Sequence, residues 1–190
     1  MLFAKYDLDK ARRHLDREIL RYRDASMWRY FEVLPVRDND NVITLGEGFT
    51  PLSRVKNLGE LMGLTSLYIK DEGINPTGTF KARGLSASVS RATELGLTDL
   101  SIPSAGNAGA ALAAYASRAG INAYIFMPRD APEATRKEVV ANASHLTLVD
   151  GLIDTAGKCS RETSAEKGFF DVSTLKEPYR LEGKKTMGYE

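Results

Sequence analysis

The stretch "DLSIPSAGNAGAALAAYASRAGINAYIFMP", Asp99 to Pro128, sets the fold class of this 190-residue chain. "DLSIP" is a short apolar run that ends in the small residues "SAGNAG". It passes directly into "AGAALAAYASRAG", whose length and alanine content predict a helix capped by Gly120. "NAYIFMP" then reads as a second buried strand. The same alternation extends to both sides. "LYIK" reads as a strand and "FKARGLSASVSRATELG" as a helix closing on Gly96. "APEATRKEVVANAS" is a helix with Pro132 near its start, "LTLVDG" a strand, "IDTAGKCSRETSAEKG" a helix and "FFDVS" a strand. Repeated β-α units of this size predict an α/β fold: a mostly parallel sheet with helices on both faces, in three layers. Ahead of them, Leu8, Ala11, Leu15, Ile19 and Tyr22 recur at helical spacing, so Asp7 to Asp24 is expected to be one amphipathic helix. Trp28, the only tryptophan, reads as a packing anchor.

Composition narrows the function without choosing it. At 43% apolar, the chain can build one full core, or one domain and part of another. Its 26 basic and 25 acidic residues leave a net charge of +1, and the basic ones are dispersed, which argues against a nucleic-acid partner. A single cysteine, Cys159, excludes an intrachain disulfide and suits a reducing compartment. The N-terminus has charges from Lys5 onward and no apolar core of a signal peptide, and no uncharged run approaches a membrane span. A cytoplasmic protein with no membrane or nucleic-acid partner is expected. His14 and His145 lie far apart in sequence with no further ligands at metal spacing, so no metal site is expected.

Two local patterns carry chemistry. In "SAGNAG" the small residues let the backbone approach a ligand, and the following helix offers unpaired N–H groups and positive potential, so an anion is expected there. The turn lacks the first glycine of a dinucleotide fingerprint and the Gly-Lys-Ser/Thr ending of a P-loop. Asn107 can donate to a ligand oxygen, or simply cap the helix. In "NPTGTFKARG", Asn75 to Gly84, Lys81 falls in the first turn of a helix, where the backbone dipole disfavours a cation. Repulsion there and burial beside Phe80 would lower its pKa, as a Schiff-base lysine requires. An ordinary solvated lysine in a helix-opening loop would look the same in these ten residues. Asp71 and Glu72, adjacent on a strand, would point to opposite faces and brace the lysine loop rather than form an acid–base pair.

From about Trp28 onward the chain resembles the fold-type II pyridoxal phosphate enzymes and, within them, the threonine synthases. "WRYFEVLPV" and "LGEGFTPL" are similar to the family's opening, "KDEGINPTGTFKARG" to its lysine motif and "SAGNAGAALAAYASRAG" to its substrate loop. "EPYRLEGKKTMGYE" is similar to the segment that follows its small domain. The resemblance implies pyridoxal 5'-phosphate as cofactor, held by Lys81 with Phe80 packed beside it and Asn107 bonded to its ring hydroxyl. It implies that Ser104, Ala105, Gly106 and Asn107 receive the substrate carboxylate. It also implies that Arg180, with Ser173 and Lys184 as weaker candidates, lies near the phosphate of a phosphorylated amino-acid substrate.

The implied division is 1–65 as a part of the large domain, 66–177 as the small domain and 178–190 as the return to the large one. The implied reaction is the conversion of O-phosphohomoserine and water to threonine and phosphate. Another fold-type II lyase, such as a cysteate synthase or a serine/threonine dehydratase, and a non-catalytic isolated domain remain open. The resemblance also leaves room for a homo-oligomer. Ala82 replaces an aspartate common in the lysine motif, and Ala143-Ser144 replaces a Gly-Ala, a change expected to alter a turn. The chain is expected to be the N-terminal portion of a longer protein and silent alone, because the family's glycine-rich cradle for the cofactor phosphate would follow residue 190. Trp28 and Phe31 are then expected to stand partly exposed.

Overall fold

The computed structural model describes residues 3–190. Its N-terminal region is two short helices rather than the one expected. Helix α1 (Leu8–His14) is capped by Asp7, whose side chain accepts from the Lys10 N–H, and it ends at Leu15. Helix α2 (Arg17–Arg21) restarts with Asp16 as cap, accepting from the Glu18 N–H. The apolar periodicity runs through the break, but the Asp16 carboxylate offers the backbone a better-satisfied start than continuation does. A 3-10 segment, Met27–Val33, follows.

Trp28 is 8% exposed, a packing anchor as its sequence suggests and not the partly exposed residue expected of a chain lacking a second domain. Its indole N–H donates to Glu47 Oε1 and Ser86 Oγ, both at 2.9 Å. Glu47, fully buried, also accepts from the Tyr115 hydroxyl at 2.5 Å and the Leu45 N–H at 3.0 Å. That burial and the Glu47 carboxylate push the Tyr115 phenol well up. The tryptophan thus finds within this chain the acceptors that a buried indole requires; Phe31 packs beside it, partly buried.

Strand β1 (Leu52–Arg54), helix α3 (Lys56–Leu61) and strand β2 (Tyr68–Lys70) come next. The strands pair antiparallel, Leu52 opposite Lys70 and Arg54 opposite Tyr68. "LYIK" is a strand as expected, but it belongs to this separate ribbon and not to the parallel sheet.

Helix α4 (Lys81–Glu94) leads into the main sheet: β3 (Asp99–Pro103), β4 (Asn122–Pro128), β5 (His145–Val149) and β6 (Phe170–Asp171), all parallel, in the order β5-β4-β3-β6. Ile102, Ile125 and Leu146 lie in register across three strands. Helix α5 (Asn107–Ala119) ends on Gly120 at φ +70°, the left-handed cap that its sequence predicts. Helix α6 (Glu133–Ala141) starts after Pro132. Ala143 adopts φ +55°, a strained value for alanine, so the turn before β5 carries a backbone cost glycine would avoid.

Helices α4 and α6 both pack on α5, whereas α7 (Ile153–Lys167) packs on β3, β4, β5 and β6. Right-handed crossovers explain the split. The connections from β3 to β4 and from β4 to β5 step one way, while the β5–β6 connection returns past β3, so α7 takes the opposite face. Leu85, Val89, Ile102, Leu112, Ile125, Met127 and Val139 fill the core. The strand order reverses beside β3, which makes the crevice beyond the carboxyl ends of β3 and β6 a topological switch point, where open α/β sheets bind ligands. Helix α8 (Tyr179–Lys184) closes that side by packing on α4.

Candidate functional site

Three segments meet at the switch point: the turn after β3, the chain after β6 with α8, and the loop before α4. Ser104 through Asn107 form the first. Ser104 is buried, and its hydroxyl accepts from the Gly106 N–H at 3.2 Å and the Gly109 N–H at 2.9 Å while donating to the Gly106 carbonyl at 3.0 Å. The Ser104 hydroxyl is therefore committed to shaping the turn. Gly106 holds the N-cap position without a side chain to cap with, and Asn107 is the first helical residue, exposed and not capping. Among the described residues, the N–H groups of Ala105, Asn107 and Ala108 have no acceptor. Open N–H groups at the head of a 13-residue helix are what an anionic ligand group needs.

The loop before α4 presents Lys81. Its N–H donates to Thr79 Oγ1 at 3.1 Å, and its half-buried amine lies 4.3 Å from the Phe80 ring centroid. Burial, then the nearby Arg180 charge, push the Lys81 ammonium below the usual lysine range. The reading of Lys81 as an amine held toward its neutral form has this physical basis.

Beyond β6, Ser173 donates its N–H to Asp171 Oδ1 at 2.8 Å, and the next turn carries Glu177 and Arg180. Arg180 is 5% exposed and donates from NH1 to the Val172 carbonyl at 2.7 Å. Its Nε is buried with no partner among the described residues, and no carboxylate there forms an ion pair with it. Glu177 is spent on the helix start, accepting from the Tyr179 and Arg180 N–H groups, and burial pushes its carboxyl up. Lys184 is half-buried, 6.0 Å from the same Phe80 ring; burial, Arg180 and Lys81 all lower its pKa. Lys81, Arg180 and Lys184 thus form one cationic cluster. The sequence alone gave Lys184 little weight, because nothing local showed that α8 would pack on α4.

Sequence reading missed Arg83 and Glu47. Arg83 is wholly buried between Glu72 and Glu190. Asp71 and Glu72 do not share a strand: Asp71 caps a 3-10 turn and Glu72 begins it, but Glu72 does brace the lysine loop. Among the described residues no group of three His, Cys, Asp or Glu could hold a metal, and no helix is long and apolar enough to cross a membrane.

A lysine with a destabilised proton beside an aromatic ring, an open helix start and a buried arginine with an unpartnered Nε fit the amine-bonding side of pyridoxal phosphate and its amino-acid substrate. Comparison with known proteins agrees. A family model described as pyridoxal-phosphate dependent enzyme matches residues 43–190. The chain is 37% identical over 186 residues to the threonine synthase of Methanocaldococcus jannaschii, covering 97% of this chain and 46% of that protein. It is 37% identical to the threonine synthase of Synechocystis sp., covering 87% of this chain and 45% of that protein. The chain spans about half the length of the curated relatives it matches. Among solved structures, maize serine racemase superposes with a TM-score of 0.67 at 28% identity, over 74% of this chain and 43% of that one. Diaminopropionate ammonia lyase from Escherichia coli shares the fold at 16% identity, with a TM-score of 0.70 over 83% of this chain and 50% of that one. The chain belongs to the pyridoxal-phosphate-dependent enzyme family, as an α/β member whose sequence matches the threonine synthases.

Proposed function

We propose that this chain supplies the lysine and the substrate-holding side of a threonine synthase active site, converting O-phosphohomoserine and water to threonine and phosphate. The observation that carries this reading is the cluster of Arg180, Lys184 and Lys81, in which Arg180 is buried with its Nε unpartnered among the described residues, Glu177 and Asp171 acting on it only through space. A buried guanidinium with an open Nε–H and no carboxylate in contact suits an anionic ligand, and a phosphate matches its fork. An unphosphorylated serine or threonine brings only its carboxylate, and the open N–H groups at the head of α5 already suit that group.

Pyridoxal phosphate, when bound, supplies a ring that withdraws electrons from the substrate Cα. The residues of this chain do the rest on their side. Lys81, its amine biased toward the neutral form, takes the Cα proton and returns protons later in the reaction. Ala105, Gly106 and Asn107 offer their turn to the substrate carboxylate, with Ser104 holding the turn's shape. Asn107 also presents its amide to the ring hydroxyl. Arg180 and Lys184 hold the substrate phosphate, with Ser173 at the edge of that pocket, and Phe80 screens the Lys81 amine from water. In this reading 66–177 form the small domain, and 1–65 with 178–190 belong to the large one. The 190 residues alone are expected to be silent, since the cofactor's phosphate would be held elsewhere.

The test is phosphate release from O-phosphohomoserine by the full-length protein with added pyridoxal phosphate. Turnover that disappears in Lys81→Ala supports the reading. Turnover of O-phosphoserine or serine in place of O-phosphohomoserine would reassign the substrate.

A further inference from the structure

We propose that Arg83 is a positioning residue for Lys81: its guanidinium, forked between Glu72 and Glu190, ties down both ends of the loop that presents the lysine amine. Arg83 is fully buried in the first turn of α4, two residues from Lys81. Its Nε and NH2 donate to the two Glu72 oxygens, each at 2.7 Å. Its NH1 and NH2 donate to the Glu190 oxygens at 2.6 and 2.7 Å, and NH1 also donates to Thr186 Oγ1 at 3.0 Å. Both carboxylates are held in the fork–fork geometry that only arginine provides.

Glu72 is the hub at the other end of the loop. It accepts from the Thr50 hydroxyl at 2.6 Å and from the Asn75 amide at 2.7 Å, while Asn75 Oδ1 accepts from the Gly48 N–H at 2.9 Å. Residues 72 to 83 therefore form a closed ring, shut by the Arg83–Glu72 pair, with Lys81 near one end. Lys70 completes the network, 2.9 Å from Glu190 Oε2 and donating to the Thr50 carbonyl at 3.1 Å. Two cations and two carboxylates balance, so the network puts no net charge behind Lys81. What lowers the lysine's pKa lies on its other side: burial, with Phe80 against the amine, and then the Arg180 charge. A lysine held in that partly desolvated, cationic corner keeps a lowered pKa; a lysine on a loosened loop swings to water and loses it.

This inference rests on Lys81 being the reactive amine. It is tested on the full-length protein without cofactor, by competitive acetylation with acetic anhydride across pH and peptide mapping, which reads the midpoint of the Lys81 amine. Arg83→Lys keeps the charge but cannot make the paired bonds to both Glu72 oxygens that shut the ring. Its Lys81 midpoint should rise enough to cut the neutral fraction about threefold at fixed pH, or roughly half a pKa unit. Should that variant fail to fold, Glu72→Ala and Glu190→Gln decide. Each removes one negative charge, so simple electrostatics lowers the Lys81 midpoint in both. The proposal requires Glu72→Ala to raise it, because the loop ring opens, while Glu190→Gln does not. Shifts of the same sign in both, or an unmoved midpoint in a folded Arg83→Lys, would overturn it. Borohydride labelling of a different lysine in the wild type with pyridoxal phosphate would instead remove the Lys81 reading itself.

Discussion

Gly183 of α8 lies directly against the carbonyl oxygen of Arg83 in α4, and a Cβ added at Gly183 would fall deep inside that oxygen's contact radius and against the Ala87 methyl. Across the same crossing, a Cβ on Gly84 would meet the Arg180 carbonyl oxygen at 3.0 Å and Lys184 Cε at 3.2 Å. Two glycines thus set how closely the helix carrying Arg180 and Lys184 approaches the helix that starts at Lys81.

The obstacle at Gly183 is backbone, so Gly183→Ala cannot be relieved by a rotamer change. It should destabilise the protein by about 1–3 kcal/mol, the usual cost of overpacking. By pushing α8 outward it should also weaken phosphate binding. Urea denaturation and phosphate titration of the variant measure both; an unchanged denaturation midpoint would show that the helices can separate freely.

Arg180→Ala should impair O-phosphohomoserine far more than an unphosphorylated amino acid. A charge-assisted bond to phosphate is worth about 1.5–3 kcal/mol, which an alcohol cannot exploit. Binding constants for the two ligands provide the comparison, and equal losses would take Arg180 out of the phosphate pocket.

Burial alone would push the Glu190 carboxyl up, but the hydrogen bonds from Arg83 and Lys70 hold it down at about 2. Glu72 is lowered in the same way, its bonds from Arg83 and Thr50 outweighing burial. A carboxylate with a depressed folded-state pKa contributes stability that is complete above its unfolded value and is lost as pH falls through the folded one. The stability margin of wild type over Glu190→Gln should therefore be full above pH ~4.5, on the order of 2 kcal/mol, and shrink as pH drops toward 2. Urea denaturation of both proteins between pH 6 and pH 2 measures it; a margin independent of pH would contradict the assignment.

Much of this was legible in the chain because the signals are local. The β-α alternation from Asp99 onward, the Gly120 cap and the turn at Ser104–Asn107 are each written in consecutive residues, and the structure places them as read. Lys81 stood out as a candidate because its place in a helix's first turn coincided with the small-residue turn at Ser104–Asn107; its own ten residues fit an ordinary lysine equally well. Arg83, two positions on, did not: its partners sit 11 and 107 residues away, and no local rule announces a buried arginine. Glu47 carried no local signal either, since only the packed structure brings Trp28 and Tyr115 to it. The pairing of "LYIK" with Leu52–Arg54 escaped for the same reason, a short antiparallel ribbon looking from sequence like one more strand of the parallel sheet. The break at Asp16 did have a local signal, an aspartate two residues before a glutamate inside an apolar period, and the periodicity masked it.

The most direct test of the account is where pyridoxal phosphate attaches. The full-length protein, incubated with the cofactor, reduced with borohydride and digested, should carry a single pyridoxyl label on Lys81, and the visible band of the lysine-bound cofactor should be missing from Lys81→Ala. A label on any other lysine, or a band that survives in Lys81→Ala, would contradict it.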